Sequence, residues 1–176
     1  MRVAVFVFAC LGLAAAAGAQ SANPVSDAVR TNWKGARANI RESADQMGEA
    51  DFAFKPVDSV RTFGQVLAHV AGANYLFCAA AKGEAAPHGE DEFEKSATTK
   101  AAIVKALDDS LAYCDAAFAA LTDKSAGEMV AMPFDMPKAP RVSPLMSNTG
   151  HLNEHYGNLV TYFRIKGMVP PSSKRG

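Results

Sequence analysis

The sequence predicts an all-α protein, a four-helix bundle that forms one domain. Four segments place apolar residues at steps of three and four between helix start and stop signals, whereas the alternation typical of strands is almost absent. A length of 176 residues suits one hydrophobic core better than two. We therefore divide the chain into a signal peptide at residues 1–19, a bundle at residues 20–171 and a tail at residues 172–176 that we expect to be disordered.

The first 19 residues have the features of a secretory signal peptide. Arg2 gives a short positive start, residues 3–17 form an apolar run, and Ala17-Gly18-Ala19 is the small-residue pattern at which signal peptidase cuts. A membrane anchor fits less well, because a run of about 15 residues is short for a bilayer that needs about 20. A lipid anchor on Cys10 also fits less well, because cleavage at that residue would leave an apolar run too short for a signal peptide. We expect an exported protein, either periplasmic or secreted.

The first two helices have clear boundaries. The first is predicted from Pro24 to Met47, with Asn23 as its N-cap and proline at the first helical position, which proline favours. The second begins at Thr62, since Thr62 and Gln65 have the spacing of a capping box, and it ends at Gly83.

The third and fourth helices follow the same rules. The third begins near Thr98 or Thr99, and the fourth at Ser143-Pro144, a capping residue followed by proline. The fourth ends at Gly167, just before Pro170-Pro171. The third helix has one continuous apolar stripe that must face a core, formed by Ile103, Leu107, Leu111, Cys114, Phe118 and Leu121.

The three predicted connectors, of roughly 14, 15 and 20 residues, are longer than the usual 2 to 8 between neighbouring antiparallel helices. At least one of them could therefore run the length of the bundle. Residues 132–142 contain three prolines, and we expect this loop to lie across one end of the bundle and shape an opening.

The charge of the chain argues against two classes of partner. Its formal net charge is zero and it has no basic block, so we expect no nucleic-acid binding. No second long apolar run follows the signal peptide, so we expect no membrane association after cleavage. A small molecule is the partner that we expect.

Three of the four histidines have the pattern of a metal site. His151 and His155 are four residues apart and share a helix face, although such pairs also occur on solvated surfaces. His69 lies in the apolar second helix, where a lone histidine is more often a satisfied core residue. Together they match the three-imidazole ligand set of one divalent ion, zinc or nickel first and iron as a further candidate. His88, in a polar connector, is expected to be solvated.

Three stretches of the chain resemble the DinB-like (DinB/YfiT) superfamily, specifically its exported branch. They are Asp51-Phe-Ala-Phe-Lys-Pro56, Arg61-Thr-Phe-Gly-Gln-Val-Leu-Ala-His69 and Asn148-Thr-Gly-His151-Leu-Asn-Glu-His155-Tyr-Gly-Asn-Leu-Val-Thr-Tyr162. The resemblance implies an up-down-down-up bundle that binds a divalent metal through a histidine of helix two and an H-x-x-x-H pair of helix four. His69, His151 and His155 match these positions one for one.

Two cysteines remain after the signal peptide, Cys78 and Cys114. An oxidising compartment favours a disulfide between them, with two small buried core residues as the alternative. Both lie about 16 residues after the start of their helices, so at about 1.5 Å per residue they are level only if these helices run parallel. The bond and the down-down step of the resembled topology therefore support each other.

Further residues are candidates to line or orient the site. Glu154 and Tyr156 are next to a ligand in the chain, and Asn158 and Asn74 are amides that could orient groups. A solvated carboxylate and a packing aromatic are the simpler interpretations of the first two. We assign no catalytic residue from the sequence.

Three functions remain open at this point. The first is a metal-dependent enzyme, a hydrolase or transferase of unknown substrate. The second is a non-catalytic metal- or small-ligand-binding bundle of the cell envelope, and the third is a structural bundle without a working site. Thiol-dependent relatives in the resembled superfamily suggest a thiol substrate, but export argues against it, since an extracytoplasmic protein meets no reduced thiol pool. A homodimer is left open.

Overall fold

The computed structural model describes residues 21–174 of the chain. The predicted signal peptide lies outside the described residues. Within them the structure has five α-helices, a two-stranded antiparallel hairpin and three short 3₁₀ turns. The helices are α1 (Pro24–Gln46), α2 (Phe63–Lys82), α3 (Glu92–Ser96), α4 (Lys100–Ala120) and α5 (Val142–Ile165), the strands are β1 (Met129–Val130) and β2 (Ala139–Pro140), and the 3₁₀ turns are Glu49–Ala53, Ser125–Gly127 and Pro171–Lys174.

The four long helices form a ring in the order α1, α5, α2, α4, in which each helix contacts its two neighbours. α2 and α4 are parallel, because Asn74 and Cys78 contact Ser110 and Cys114 at matching levels. α2 and α5 are antiparallel, since Phe63 at the start of one packs on the end of the other. α1 is antiparallel to α4. These directions make an up-down-down-up bundle and confirm the predicted fold class.

The core of the bundle lies inside this ring. Trp33 of α1 stacks on Phe118 of α4 with the ring centroids 4.4 Å apart, and its indole N–H donates to Asp115 at 2.8 Å. Removing such side chains from water is the main source of stability in a bundle of this size, at about 25 cal/mol per Å² of apolar surface. The largest fully buried side chains are Trp33, Phe63, Phe118, Phe163, Ile40, Met47, Leu67, Leu107, Leu111, Leu145, Leu152 and Leu159.

The predicted start and stop of α2 are confirmed. Thr62 accepts from the backbone N–H of Gln65, and the Gln65 side chain accepts from the backbone N–H of Thr62, which completes the capping box. Gly83 ends the helix in the left-handed conformation, with φ 77°. Thr99 caps α4 as predicted, through the N–H of Ala102.

Two other predicted caps are wrong. The side chain of Asn23 does not cap α1 but accepts from the backbone N–H of Asp123, and the Asp123 carboxylate in turn accepts from the N–H groups of Val25 and Ser26. The first turn of α1 is therefore capped by a residue about 100 positions away. Ser143 does not cap α5, because that helix already begins at Val142 and has Arg141 at its N-cap position.

The connectors contain more structure than the sequence indicated. α3 lies between α2 and α4, and the proline-containing loop is part of the β1–β2 hairpin, with Phe134 packed on Phe77 at 6.0 Å. This hairpin borders a groove of about 500 Å³ beside the C-terminal half of α2. The prediction of a disordered tail is wrong for residues 172–174, which belong to the last 3₁₀ turn. Residues 175–176 lie outside the described part.

The predicted disulfide is present. Cys78 and Cys114 are bonded, with their Cα atoms 5.3 Å apart, and both side chains are fully buried between α2 and α4. Among residues 21–174, no helix is both long enough and apolar enough to span a bilayer.

Candidate metal centre

The antiparallel pair α2 and α5 brings together the three histidines that the sequence singled out. His69 lies two turns into α2, whose start the capping box fixes, and His151 and His155 lie on one face of α5. The Nε2 atom of His151 is 3.1 Å from that of His69 and 3.0 Å from that of His155. The three imidazoles that the sequence singled out therefore lie together.

These contacts fit a bound cation better than hydrogen bonds between rings. A neutral imidazole has one N–H donor and one lone pair, so the Nε2 atom of His151 can serve only one of its two neighbours well. A metal ion accepts the lone pairs of all three, and ligand nitrogens that lie about 2.0–2.1 Å from one ion are separated by distances of this order. The three side chains thus form a possible metal-binding site.

Burial keeps two of the ligands in the form that binds metals. Removal from water, assisted by the charges of the neighbouring histidines and Arg61, lowers the pKa of His151 to about 3. Burial and the charge of His69 lower the pKa of His155 to about 4, although the carboxylates of Glu154 and Glu94 oppose that shift. Both imidazoles are therefore neutral at pH 7, with lone pairs free for a cation.

Two acidic residues of the connector lie beside His69. The Oε1 atom of Glu94 is 3.1 Å from the Nδ1 atom of His69, and an oxygen of Glu90 is 3.9 Å from its Nε2 atom. Arg61 bonds the other oxygen of Glu94 at 2.9 Å. No sequence pattern indicated Glu90 or Glu94, whereas Arg61 lies within the motif that ends at His69.

The outer nitrogens of the two α5 histidines differ in their partners. The side-chain amide of Asn158 is 3.4 Å from the Nδ1 atom of His155, one turn along the helix. The Nδ1 atom of His151 is buried, and it has no hydrogen-bond partner among the described residues. Asn158, a candidate from the sequence, therefore lies at the site.

The other candidates lie elsewhere or act from a distance. Glu154 is exposed on α5, and the charge of its carboxylate opposes the lowering of the pKa of His155. The Tyr156 hydroxyl group does not reach a histidine, because it donates to Ser172 Oγ and accepts from Ser172 N–H, both at 2.8 Å. Asn74 is buried near the disulfide and donates to Ser110.

An open groove of about 850 Å³ is lined by His155, one of the three histidines. Arg61, Asn158 and Gln65 add polar groups to its lining. Other lining residues come from the segment between the first 3₁₀ turn and α2. The remaining lining residues are Lys55, Pro56, Asp58, Ser59, Val60, Val66, Thr161 and Tyr162. A small polar molecule could reach His155 by this route.

The sequence matches the family model of the DinB superfamily over residues 32–159. No curated protein matches the chain. The residues matched by the DinB family model include all three histidines and both disulfide cysteines.

Several solved structures share the fold at low identity. A DinB-like protein from Bacillus cereus is 18% identical with a TM-score of 0.68, covering 82% of this chain and 95% of that one. A putative DinB family member from Exiguobacterium sibiricum is 19% identical with a TM-score of 0.59, covering 81% and 91%. A mycothiol-dependent maleylpyruvate isomerase is 16% identical with a TM-score of 0.60, covering 76% of this chain but 60% of that one.

Proposed function

The chain belongs to the DinB superfamily, and we propose that it is a metal-dependent enzyme, a hydrolase or transferase acting on a small molecule. The observation that carries this proposal is the convergence of three Nε2 atoms, one of them on His155, which lines an open groove. A structural ion is usually enclosed by four protein ligands, whereas three histidines leave one coordination position open, and the groove at His155 gives a substrate room to approach.

The side chains at this site would have different roles in the proposed reaction. A divalent ion held by His69, His151 and His155 would supply a Lewis acid that polarises a substrate oxygen atom. Arg61 lines the groove and carries a permanent positive charge, so it can orient a carboxylate or phosphate group of the substrate. Asn158 can donate or accept a hydrogen bond at the same wall.

We propose zinc or nickel as the ion, with iron as the third candidate. Three neutral imidazoles are intermediate ligands that suit all of these metals, so the supply of metal in the compartment contributes to the choice. The structural neighbour that depends on mycothiol is an enzyme, which supports the enzymatic class. We do not extend its thiol to this protein, because we propose that it works outside the cytoplasm.

Export from the cytoplasm is part of the proposal. The Cys78–Cys114 bond supports it, since structural disulfides persist in oxidising compartments and are rare in the cytosol. Detection of the mature chain in the periplasmic or culture fraction, with Gln20 as its first residue, tests this point directly.

The metal content of the mature protein tests the site. We would purify it without a metal-affinity tag and measure bound metals by elemental mass spectrometry for the wild type, His69→Ala and His155→Ala. We expect about one equivalent in the wild type and a large loss in both variants. His88→Gln is the control, because His88 contacts Glu92 and Tyr75 instead of the site. Wild-type protein that stays metal-free after reconstitution would contradict the proposal.

Catalysis needs a separate test. Metal-loaded protein would be screened against panels of esters, amides and phosphate esters, and against acyl and alkyl donors. Turnover that disappears in His151→Ala, while His88→Gln keeps it, supports the enzyme. Stoichiometric metal without turnover on any panel would favour the non-catalytic metal-binding bundle.

A further inference from the structure

The connector between α2 and α4 is pressed against the metal-binding face of α2. A Cβ atom at Gly72 would lie 1.9 Å from the backbone oxygen of Glu90, a distance that no side chain allows. Gly72 is three residues beyond His69 and therefore on the same helix face. This close approach places α3, and the acidic residues at its start, beside the first of the three histidines.

Glu94 is the member of this segment that makes the closest contact with the site. Its side chain is only 15% exposed, and one carboxylate oxygen, Oε2, accepts from Arg61 at 2.9 Å. The other oxygen, Oε1, is 3.1 Å from the Nδ1 atom of His69. That oxygen is buried and has no hydrogen-bond partner among the described residues, so its 3.1 Å approach to Nδ1 is an ion-pair distance and not a formed hydrogen bond. A buried carboxylate oxygen without a donor is costly, and a proton on His69 Nδ1 is the group at this distance that would stabilise it.

Arg61 favours the opposite protonation of His69, with no proton on Nδ1. Its Nη2 atom is 3.4 Å from His69 Nδ1 and can only donate, which would require a lone pair on Nδ1 and the proton on Nε2. A proton on Nε2 blocks the lone pair that faces His151. The two neighbours thus favour different tautomers of His69, and only the one favoured by Glu94 leaves Nε2 free to bind an ion shared with His151.

We propose that Glu94 is a positioning residue that holds His69 in the Nδ1–H tautomer and so turns its Nε2 lone pair toward the ion. Carboxylates that accept from the outer nitrogen of a metal-binding histidine fix its ring and raise its basicity. Arg61 takes the second oxygen of Glu94 and keeps the carboxylate in place. This inference rests on the proposed function for the presence of the ion, but the tautomer can be measured without it.

The first measurement is the tautomer of His69 in metal-free protein, by long-range proton–nitrogen NMR of ¹⁵N-histidine-labelled samples. We expect the Nδ1–H form in the wild type and a shift toward the Nε2–H form in Glu94→Ala. An Nε2–H form in the wild type would overturn the inference. This readout does not depend on whether the protein binds metal.

The second measurement is zinc affinity, by competition with a chromophoric chelator. We expect Glu94→Ala to weaken zinc binding by about 10- to 100-fold. Glu94→Gln, which keeps an oxygen acceptor, should recover most of this loss. Glu92→Gln is the matched control on α3, because the Glu92 carboxylate contacts His88 and Gly89 and does not reach His69.

The outcomes separate the two ideas. Equal losses in Glu92→Gln and Glu94→Ala would assign the effect to loosening of α3 and overturn the role of Glu94. Wild-type protein that binds no zinc would contradict the proposed function, while the tautomer measurement would still decide the inference. Far-ultraviolet circular dichroism of each variant shows whether the bundle has folded.

Discussion

Cys78 on α2 and Cys114 on α4 lie at the same level of two parallel helices, with their Cα atoms 5.3 Å apart. A parallel pair joined in sequence needs a connector that returns along the whole bundle, and the segment between Gly83 and Thr99 does this. The disulfide thus closes a loop of 36 residues that contains both the connector and α3.

We predict that the double variant Cys78→Ala/Cys114→Ala is less stable than the oxidised wild type by about 3 to 4 kcal/mol, because the bond restricts the unfolded chain. Urea unfolding monitored by circular dichroism measures this difference. Wild-type protein unfolded in the presence of a reductant should match the variant. Equal midpoints for oxidised wild type and variant would contradict the prediction.

Gly72→Ala should be harmful, since its Cβ atom would overlap the Glu90 backbone and push the connector away from α2. We expect a loss of about 1 to 3 kcal/mol in the free energy of unfolding, the usual cost of overpacking. Zinc affinity should fall as well, because α3 carries Glu94.

Gly35→Ala is the matched control for that variant. Gly35 is a helical glycine of α1 with open space where its Cβ atom would be. Alanine favours helix more than glycine does, so this change should stabilise the protein by about 0.5 to 1 kcal/mol. Thermal unfolding of both variants side by side decides the matter, and equal effects would show that the close approach of Glu90 is unimportant.

The metal-free protein should lose stability as the pH falls from about 6.5 toward 4. The pKa of His151 is about 3 and that of His155 about 4 in the folded state, against about 6.5 for an unfolded histidine. Above pH 6.5 neither state takes up these protons. Below it the unfolded chain binds them and the folded chain does not, which costs about 1 kcal/mol per pH unit for each histidine after allowance for solvent screening.

Urea unfolding of metal-free protein at several pH values between 4 and 8 measures this slope. The double variant His151→Gln/His155→Gln should show a flatter dependence, whereas His88→Gln should keep the wild-type slope. A wild-type protein as stable at pH 4.5 as at pH 7 would be incompatible with lowered pKa values for His151 and His155.

Tyr156→Phe should affect stability but not metal binding. The Tyr156 hydroxyl group exchanges two hydrogen bonds with Ser172 and fixes the last 3₁₀ turn on α5. We expect a loss of about 1 kcal/mol in unfolding free energy with unchanged zinc affinity. A drop in zinc affinity would contradict this prediction and show that Tyr156 contributes to the metal centre.

The sequence was sufficient to predict features that depend on a repeating pattern or on a few consecutive residues. The long helices have apolar periodicity, the Thr62–Gln65 capping box depends on four consecutive residues, and the histidines keep helical spacing. The predictions failed where the partner is distant in the chain. Asn23 looks like a cap, yet Asp123 does the capping, and no local pattern shows that the two segments meet.

Glu94 was missed for a related reason. α3 has five residues, too few for periodicity, and its polar composition is that of an ordinary solvated connector. Its contact with His69 exists only because Gly72 lets the connector backbone approach α2. Such a contact follows from packing between segments, which spacing along the chain does not encode.

The four long helices are not all held in the bundle by cross-links. α2 is joined to α4 by the disulfide and, in the proposed metal-bound protein, to α5 by the ion, whereas α1 has neither a cysteine nor a histidine and depends on packing around Trp33. Under native conditions, amide hydrogens of α1 should therefore exchange with deuterium through partial opening before those of the other three long helices. α1 would then separate from the bundle first, while α2, α4 and α5 stay packed together.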